Sequence, residues 1–175
     1  MQPYSRWRLW KVGRRLVNIS TNAKININMT QEEKELVLKD ITARLSYGLK
    51  VQIDFGEHCI KYGIDRYVDD TVICVWPETF DVGVNDEDQS CDIEDVKPYL
   101  RPLSSMTEGE KKVFDKFVCI DEFAWNGDTE KGYLNQAIIM SDGIDWLNAH
   151  HFDYRGLIEK GLALEASEGM YNIKN

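Results

Sequence analysis

"MTQEEKELVLKDITARLSYGLKVQIDF", residues 29 to 55, changes its hydrophobic period once, and that change sets the fold class. From Thr30 to about Leu45 the apolar residues Val37, Leu38, Ile41 and Leu45 recur at helical spacing, while Glu32, Glu33, Lys34, Glu35 and Lys39 leave a charged exterior. Thr30 and Glu33 stand three apart, the spacing of a capping box that satisfies the orphan amides of a helix start. At Leu49 the period drops to two: Leu49, Val51, Ile53 and Phe55 alternate with Lys50, Gln52 and Asp54, as a half-buried strand requires.

Working outward, Gly56 and Glu57 mark a turn, Ile60, Tyr62 and Ile64 continue the alternation, and "DRYVDD" (65 to 70) interrupts it. Thr71 to Trp76 forms a third β-rich run that stops at Pro77. The pattern predicts an α+β fold, a small antiparallel β-meander of about three strands packed with N-terminal, central and C-terminal helices. Residues 77 to 92, acidic and without a sustained period, read as a mobile loop, with Asp92 capping a short helical turn. "KPYLRPLSS" (97 to 105) reads as an extended connector. "MTEGEKKVFDKF" (106 to 117) repeats the first helix start, Glu110 taking the place of Glu33. Residues 121 to 135 read as a loop or loose hairpin anchored by Trp125 and Tyr133. A last helix is expected around Gly143 to His151, burying Ile144, Leu147 and His151, followed by a turn at Gly156 and an apolar segment from Leu157 to Ala166.

The chain has 175 residues, 43% hydrophobic and 11% aromatic, enough for one ordinary core. No apolar run approaches the roughly 18 residues that span a bilayer, so no membrane partner is expected. Cys59, Cys74, Cys91 and Cys119 form no C-x-x-C pair; Cys59 and Cys74 fall in strand-like segments as small core hydrophobes, and a reducing cytoplasm is the expected location. Charge is distributed unevenly. Residues 1 to 28 carry six bases (Arg6, Arg8, Lys11, Arg14, Arg15, Lys24) and no acid, whereas the remaining residues hold 15 bases against 30 acids, a net of −15. A body that acidic repels phosphates and is not expected to bind nucleic acid directly.

The basic leader has no continuous apolar stretch of the kind a secretory signal needs. Its composition fits an organellar transit peptide or an arm lying on anionic membrane or nucleic acid. It equally fits upstream sequence read in frame, with translation starting at Met29 directly before the capping box. The expected organisation is that last one: a leader at 1 to 28 outside the fold, disordered or an artefact of the start site, and a single α+β domain at 29 to 175.

"DWLNAHHFDYRGLIEKGLALEA", residues 145 to 166, packs His150, His151, Asp153, Tyr154 and Arg155 together, the palette of many active sites. Adjacent helical residues point about 100° apart, so His150 and His151 cannot converge on one ion, and no metal site is expected. A catalytic reading would use His150 or His151 with Asp153 and Tyr154 as an acid–base set. No G-x-S-x-G elbow or glycine-rich phosphate loop accompanies it, and no cofactor is expected. The structural reading has Asp153 and Arg155 pairing or holding backbone groups at the helix exit, Gly156 permitting a left-handed turn, and Trp146, Phe152 and Tyr154 packing the joint.

The same block, with "IEDVKPYLRPLSSMTEGEKK" and "MTQEEKELVLKDITARLSYGLKV", resembles a family of short uncharacterised proteins of gut anaerobic bacteria and their phages or mobile elements. The likeness covers most of residues 29 to 174 and implies a cytoplasmic setting and a start matching Met29, without implying an activity. The expected function is that of a small acidic accessory protein that binds a partner with a basic surface. Asp153, Arg155, Trp146, Glu87 and Asp88 are its candidate binding residues; a small hydrolase or transferase using the His/Asp set of 150 to 155 is the alternative.

Overall fold

The computed structural model describes residues 7–12, 15–20, 29–57, 60, 65–84, 90–118 and 129–171. The chain divides into two compact units, residues 1–98 and 99–175. In the first, β1 (Trp7–Val12) and β2 (Arg15–Ser20) pair antiparallel as a separate two-stranded sheet.

Helix α1 (Gln31–Arg44) begins as its sequence requires, with both halves of the Thr30–Glu33 capping box formed. Its buried face differs from the apolar stripe read above. Val37, Asp40, Ile41 and Arg44 are the buried positions, at the i, i+3, i+4, i+7 spacing of one helix face, while Leu38 and Leu45 are only half-buried. Two of the four are charged. They are tolerable there because Arg44 Nε and Nη2 donate to the two oxygens of Asp40 at 2.8 and 3.0 Å, a bidentate pair with both side chains at 0% exposure. The helix then tightens into a 3-10 turn at Leu45–Tyr47, and Gly48, at φ 67°, supplies the left-handed residue that redirects the chain.

Strand β3 (Lys50–Asp54) follows with Val51 and Ile53 buried and Lys50, Gln52 and Asp54 half-exposed, as the alternation predicts. Its connection to the next strand is closed by Arg66, whose guanidinium donates twice to the Asp54 carboxylate at 3.0 Å. The next strand, β4 (Tyr67–Trp76), is longer than expected: "YVDD" belongs to it, paired with Asp54 to Val51 of β3. A shift of register between Val72 and Cys74 interrupts its pairing with β5 (Asp81–Val84). Strand β6 (Ser90–Asp92) pairs in turn with β5, and β7 (Val96–Leu100) returns to pair antiparallel with β3. Of residues 77 to 92, those described are therefore turn and paired strand in place of the mobile loop. The acids that disguised this stretch flank a short run, Val82 to Val84, that is fully buried. The connector expected at 97 to 105 is strand as far as Leu100. Pro98, which cannot donate, falls at the last pair of the β3 ladder. Asp92 does precede a short turn, Ile93–Asp95, but its side chain makes no capping bond. Ile60 lies in an isolated helical turn, 62% exposed, and the other positions of that expected strand lie outside the described residues.

In the second unit, Tyr99 and Leu100 of β7 pair parallel with β8 (Leu164–Glu165). The ladders of the two units link six strands, mostly antiparallel, where about three were expected; the fold is α+β. Helix α2 (Glu108–Val118) carries a second capping box at Thr107 and Glu110. Helix α3 (Thr129–Ala149) begins well before the expected Gly143, taking in residues assigned to the loop. Two glycines and several polar residues blurred its period. Gly143 is buried against α2, where a Cβ would lie 3.0 Å from Phe117 Cβ. Ile144, expected inside, is 44% exposed.

The buried pair in α1 generates a stability prediction. Asp40→Ala or Arg44→Met alone should cost about 3–5 kcal/mol, because each strands a buried charge, while Asp40→Leu combined with Arg44→Met should regain most of the loss. Urea melts of the three variants measure this. A double variant as unstable as the sum of the singles would contradict it.

Candidate functional site

The stretch after α3 is built from the backbone outward. The N–H of Phe152 donates to the Leu147 carbonyl at 3.0 Å and that of His151 to the Asn148 carbonyl at 3.1 Å, the paired bonds of a Schellman helix end. Leu147 and Phe152, the two positions such a motif brings together, share a hydrophobic cluster with Met106. The left-handed position of the motif normally holds glycine. Here it holds His151 at φ 57°, a conformation that costs an L residue on the order of 1 kcal/mol or more. Burial of the imidazole, 2% exposed and stacked on Tyr171 at 3.7 Å between ring centroids, offsets that cost. Tyr171 is fixed in turn by its hydroxyl, which donates to the Tyr99 carbonyl at 2.8 Å.

Arg101 then ties the exit to the strand. Its N–H donates to the His151 carbonyl at 2.8 Å and its carbonyl accepts from Asp153 N–H at 2.7 Å, bracketing Phe152 in a parallel bridge. Its guanidinium lies 4.2 Å over the Phe152 ring centroid and donates to both oxygens of Glu110, at 2.8 and 3.1 Å. Glu110 is also the capping carboxylate of α2, accepting from Thr107 N–H at 2.8 Å. These bonds, the Arg101 pair foremost, hold its carboxyl down at about 2 against the desolvation that opposes them.

Each candidate side chain has a position in this arrangement. The Asp153 carboxylate, buried, accepts from Leu157 N–H at 2.9 Å and Ile158 N–H at 2.8 Å, so it holds backbone groups. Arg155 Nη2 donates to the Tyr154 hydroxyl at 2.6 Å, and that hydroxyl donates to Asn148 Oδ1 at 3.0 Å. Gly156 takes the left-handed conformation at φ 69°, a second such turn after His151. His150 Nδ1 lies 2.8 Å from the Trp146 carbonyl; a carbonyl only accepts, so the ring proton is on Nδ1. The same imidazole stacks on Trp146 at 4.0 Å, and Trp146 stacks on Phe152 at 5.7 Å. The structure thus gathers Trp146, His150, His151, Asp153, Tyr154 and Arg155 around one helix end. Glu87 and Asp88 lie outside the described residues.

Sequence reasoning missed Arg101, Asn148 and Tyr171. Thr107 and Glu110 were legible as a cap, but nothing in the spacing reveals that the cap's carboxylate also binds an arginine nine residues earlier. Among the described residues, no group of three or more His, Cys, Asp or Glu is placed to hold a metal ion, and no helix is long and apolar enough to cross a membrane. Compared with family models, curated proteins and solved structures, the chain matches none.

Glu110 sets a pH dependence. Its folded carboxyl, at about 2, lies below its ordinary 4.5, so its contribution is fully present above 4.5 and is lost as pH falls through the interval down to about 2. Linkage makes that contribution about 3 kcal/mol. Stability measured by urea melts from pH 6 downward should fall across that window, and Glu110→Gln should flatten the fall by about that amount. An unchanged pH profile in the variant would contradict the pairing.

Proposed function

We propose that the protein is a small acidic accessory protein of a phage or mobile element, acting in the cytoplasm by binding a partner with a basic surface and without catalysis at residues 145 to 166. The observation that carries this reading is the fate of the reactive palette. Both Asp153 oxygens are taken by backbone amides, and His150 and Asp153 have different partners where an acid–base pair would bond to each other. His151 is buried against Tyr171, and the Tyr154 hydroxyl is committed to Arg155 and Asn148. Groups so engaged position the chain.

Charge supports the class of partner. Residues 29 to 98 hold 17 acids against 7 bases, and residues 99 to 175 hold 13 against 8, so both parts favour a cationic surface and disfavour nucleic acid. The free thiol of Cys74 fits a reducing compartment. The resemblance of the three sequence blocks to proteins of gut anaerobes and their phages supports the genomic setting.

Affinity capture with the tagged chain, followed by titration of each captured protein alone, tests the reading. The expected result is a basic partner bound at about 50 mM salt and released at about 0.5 M, with binding unchanged in His150→Gln. Binding that ignores salt, or a hydrolytic or transfer activity abolished by His150→Gln, would overturn it.

A further inference from the structure

Helix α3 leaves apolar side chains in solvent, Ile144 among them although its period predicts burial. Ile138, Met140 and Ile144 are 49%, 56% and 44% exposed, three of the ten large hydrophobics exposed among the described residues, and they fall within seven positions. At about 100° per residue, Met140 and Ile144 lie with the exposed Ala137 in an arc of about 60°. Phe117 of α2 covers Gly143, the cluster of Met106 and Phe152 covers Leu147, and the stripe begins beyond them. Its other flank is acidic. Asp142 and Asp145 are both exposed there, and from Ala137 to Ala149 the helix has no base.

Given a basic partner, as read above, we propose that it docks on this face of α3 with an amphipathic helix, whose apolar stripe covers Met140 and Ile144 while its lysines or arginines meet Asp142 and Asp145. Scattered apolar groups on a surface are ordinary. Apolar groups at helical spacing beside two acids are the complement of a cationic amphipathic helix, so one occupant supplies both the burial and the charge pairing. A stripe that runs along one helix is matched in direction by a second helix packed ridge into groove. Methionine suits such a contact, because its unbranched thioether adapts to the side chains laid on it. Charge chooses among the occupants. A second copy of the chain would bring the same acids together across a two-fold contact, and an anionic leaflet would repel them.

Fluorescence anisotropy of the full chain with three labelled peptides tests this: a leucine–lysine helix of heptad pattern, a leucine–glutamate helix with the same apolar stripe, and a polylysine of equal charge. At about 0.1 M salt the leucine–lysine helix should bind about tenfold or more tightly than either of the others. Met140→Ser with Ile144→Ser should weaken it roughly tenfold or more, and Asp142→Asn with Asp145→Asn about fivefold with a shallower salt dependence. Glu159→Gln with Glu168→Gln removes two exposed acids elsewhere in the same unit and should change binding less than about twofold. Every substituted position is exposed, so each variant should melt with the parent. Equal binding of polylysine, no binding, an undiminished affinity in the Met140 and Ile144 variant, or equal losses in the two acid pairs would overturn the docking face. So would a dimer of the parent chain in sedimentation that Ile144→Ser dissociates, which would make a second copy the occupant. A captured basic partner that binds the Met140 and Ile144 variant as tightly as the parent would overturn the face while leaving the basic-partner reading intact. Partners that ignore salt would overturn that reading and the face with it.

Discussion

The second unit depends on what Arg101 does with its backbone and its side chain at once. The backbone fixes Phe152 between two hydrogen bonds, and the guanidinium covers the ring of that same residue while binding the carboxylate that caps α2. Three structures that are separate in sequence meet on one residue: a strand, a helix start and a helix end. Phe152, at 0% exposure, could not be buried there without the reversal of direction at His151. That reversal is sustained by the stack on Tyr171, whose own anchor is the carbonyl of Tyr99, two residues before Arg101. The connections form a closed loop, so no member can be removed without exposing another.

The first unit handles charge by a different route to a similar end. Asp40 and Arg44 occupy core positions of α1, one turn apart, and satisfy one another bidentately. Apolar residues of similar volume would serve stability as well, and what the bidentate pair adds is a fixed rotation of the helix about its axis. In both units buried charge is engaged by hydrogen bonds: Asp40 and Arg44 bond to each other, and Asp153 accepts from two backbone amides.

The sequence was legible where a local rule was sufficient. The switch of period at Leu49, both capping boxes and the burial of Val51 and Ile53 follow from spacing within a few residues. It was misleading where distant partners decide. "DVGV" reads as loop because its neighbours are acidic, yet pairing on both sides with β4 and β6 makes it interior strand. "VKPYL" reads as connector because of Pro98, yet the ladder to β3 ends at that residue and tolerates it. At the candidate site, aromatic packing, the backbone role of Asp153 and the left-handed turn at Gly156 were legible, while the earlier turn at His151 was not, because histidine gives no sign of left-handed backbone. The contact with Tyr171 accounts for that choice.

The central claim, that the charged groups around the exit of α3 hold the structure together, is tested most directly by thermal melts of Arg101→Met and Asp153→Ala beside His150→Gln. The first two remove a guanidinium bound to Glu110 and an acceptor of two amides, and each should lower stability by about 2 kcal/mol or more, seen as a fall of several degrees in Tm. His150→Gln, which gives up a half-buried stack, should move Tm much less. Unaltered melting temperatures for Arg101→Met and Asp153→Ala would contradict the account.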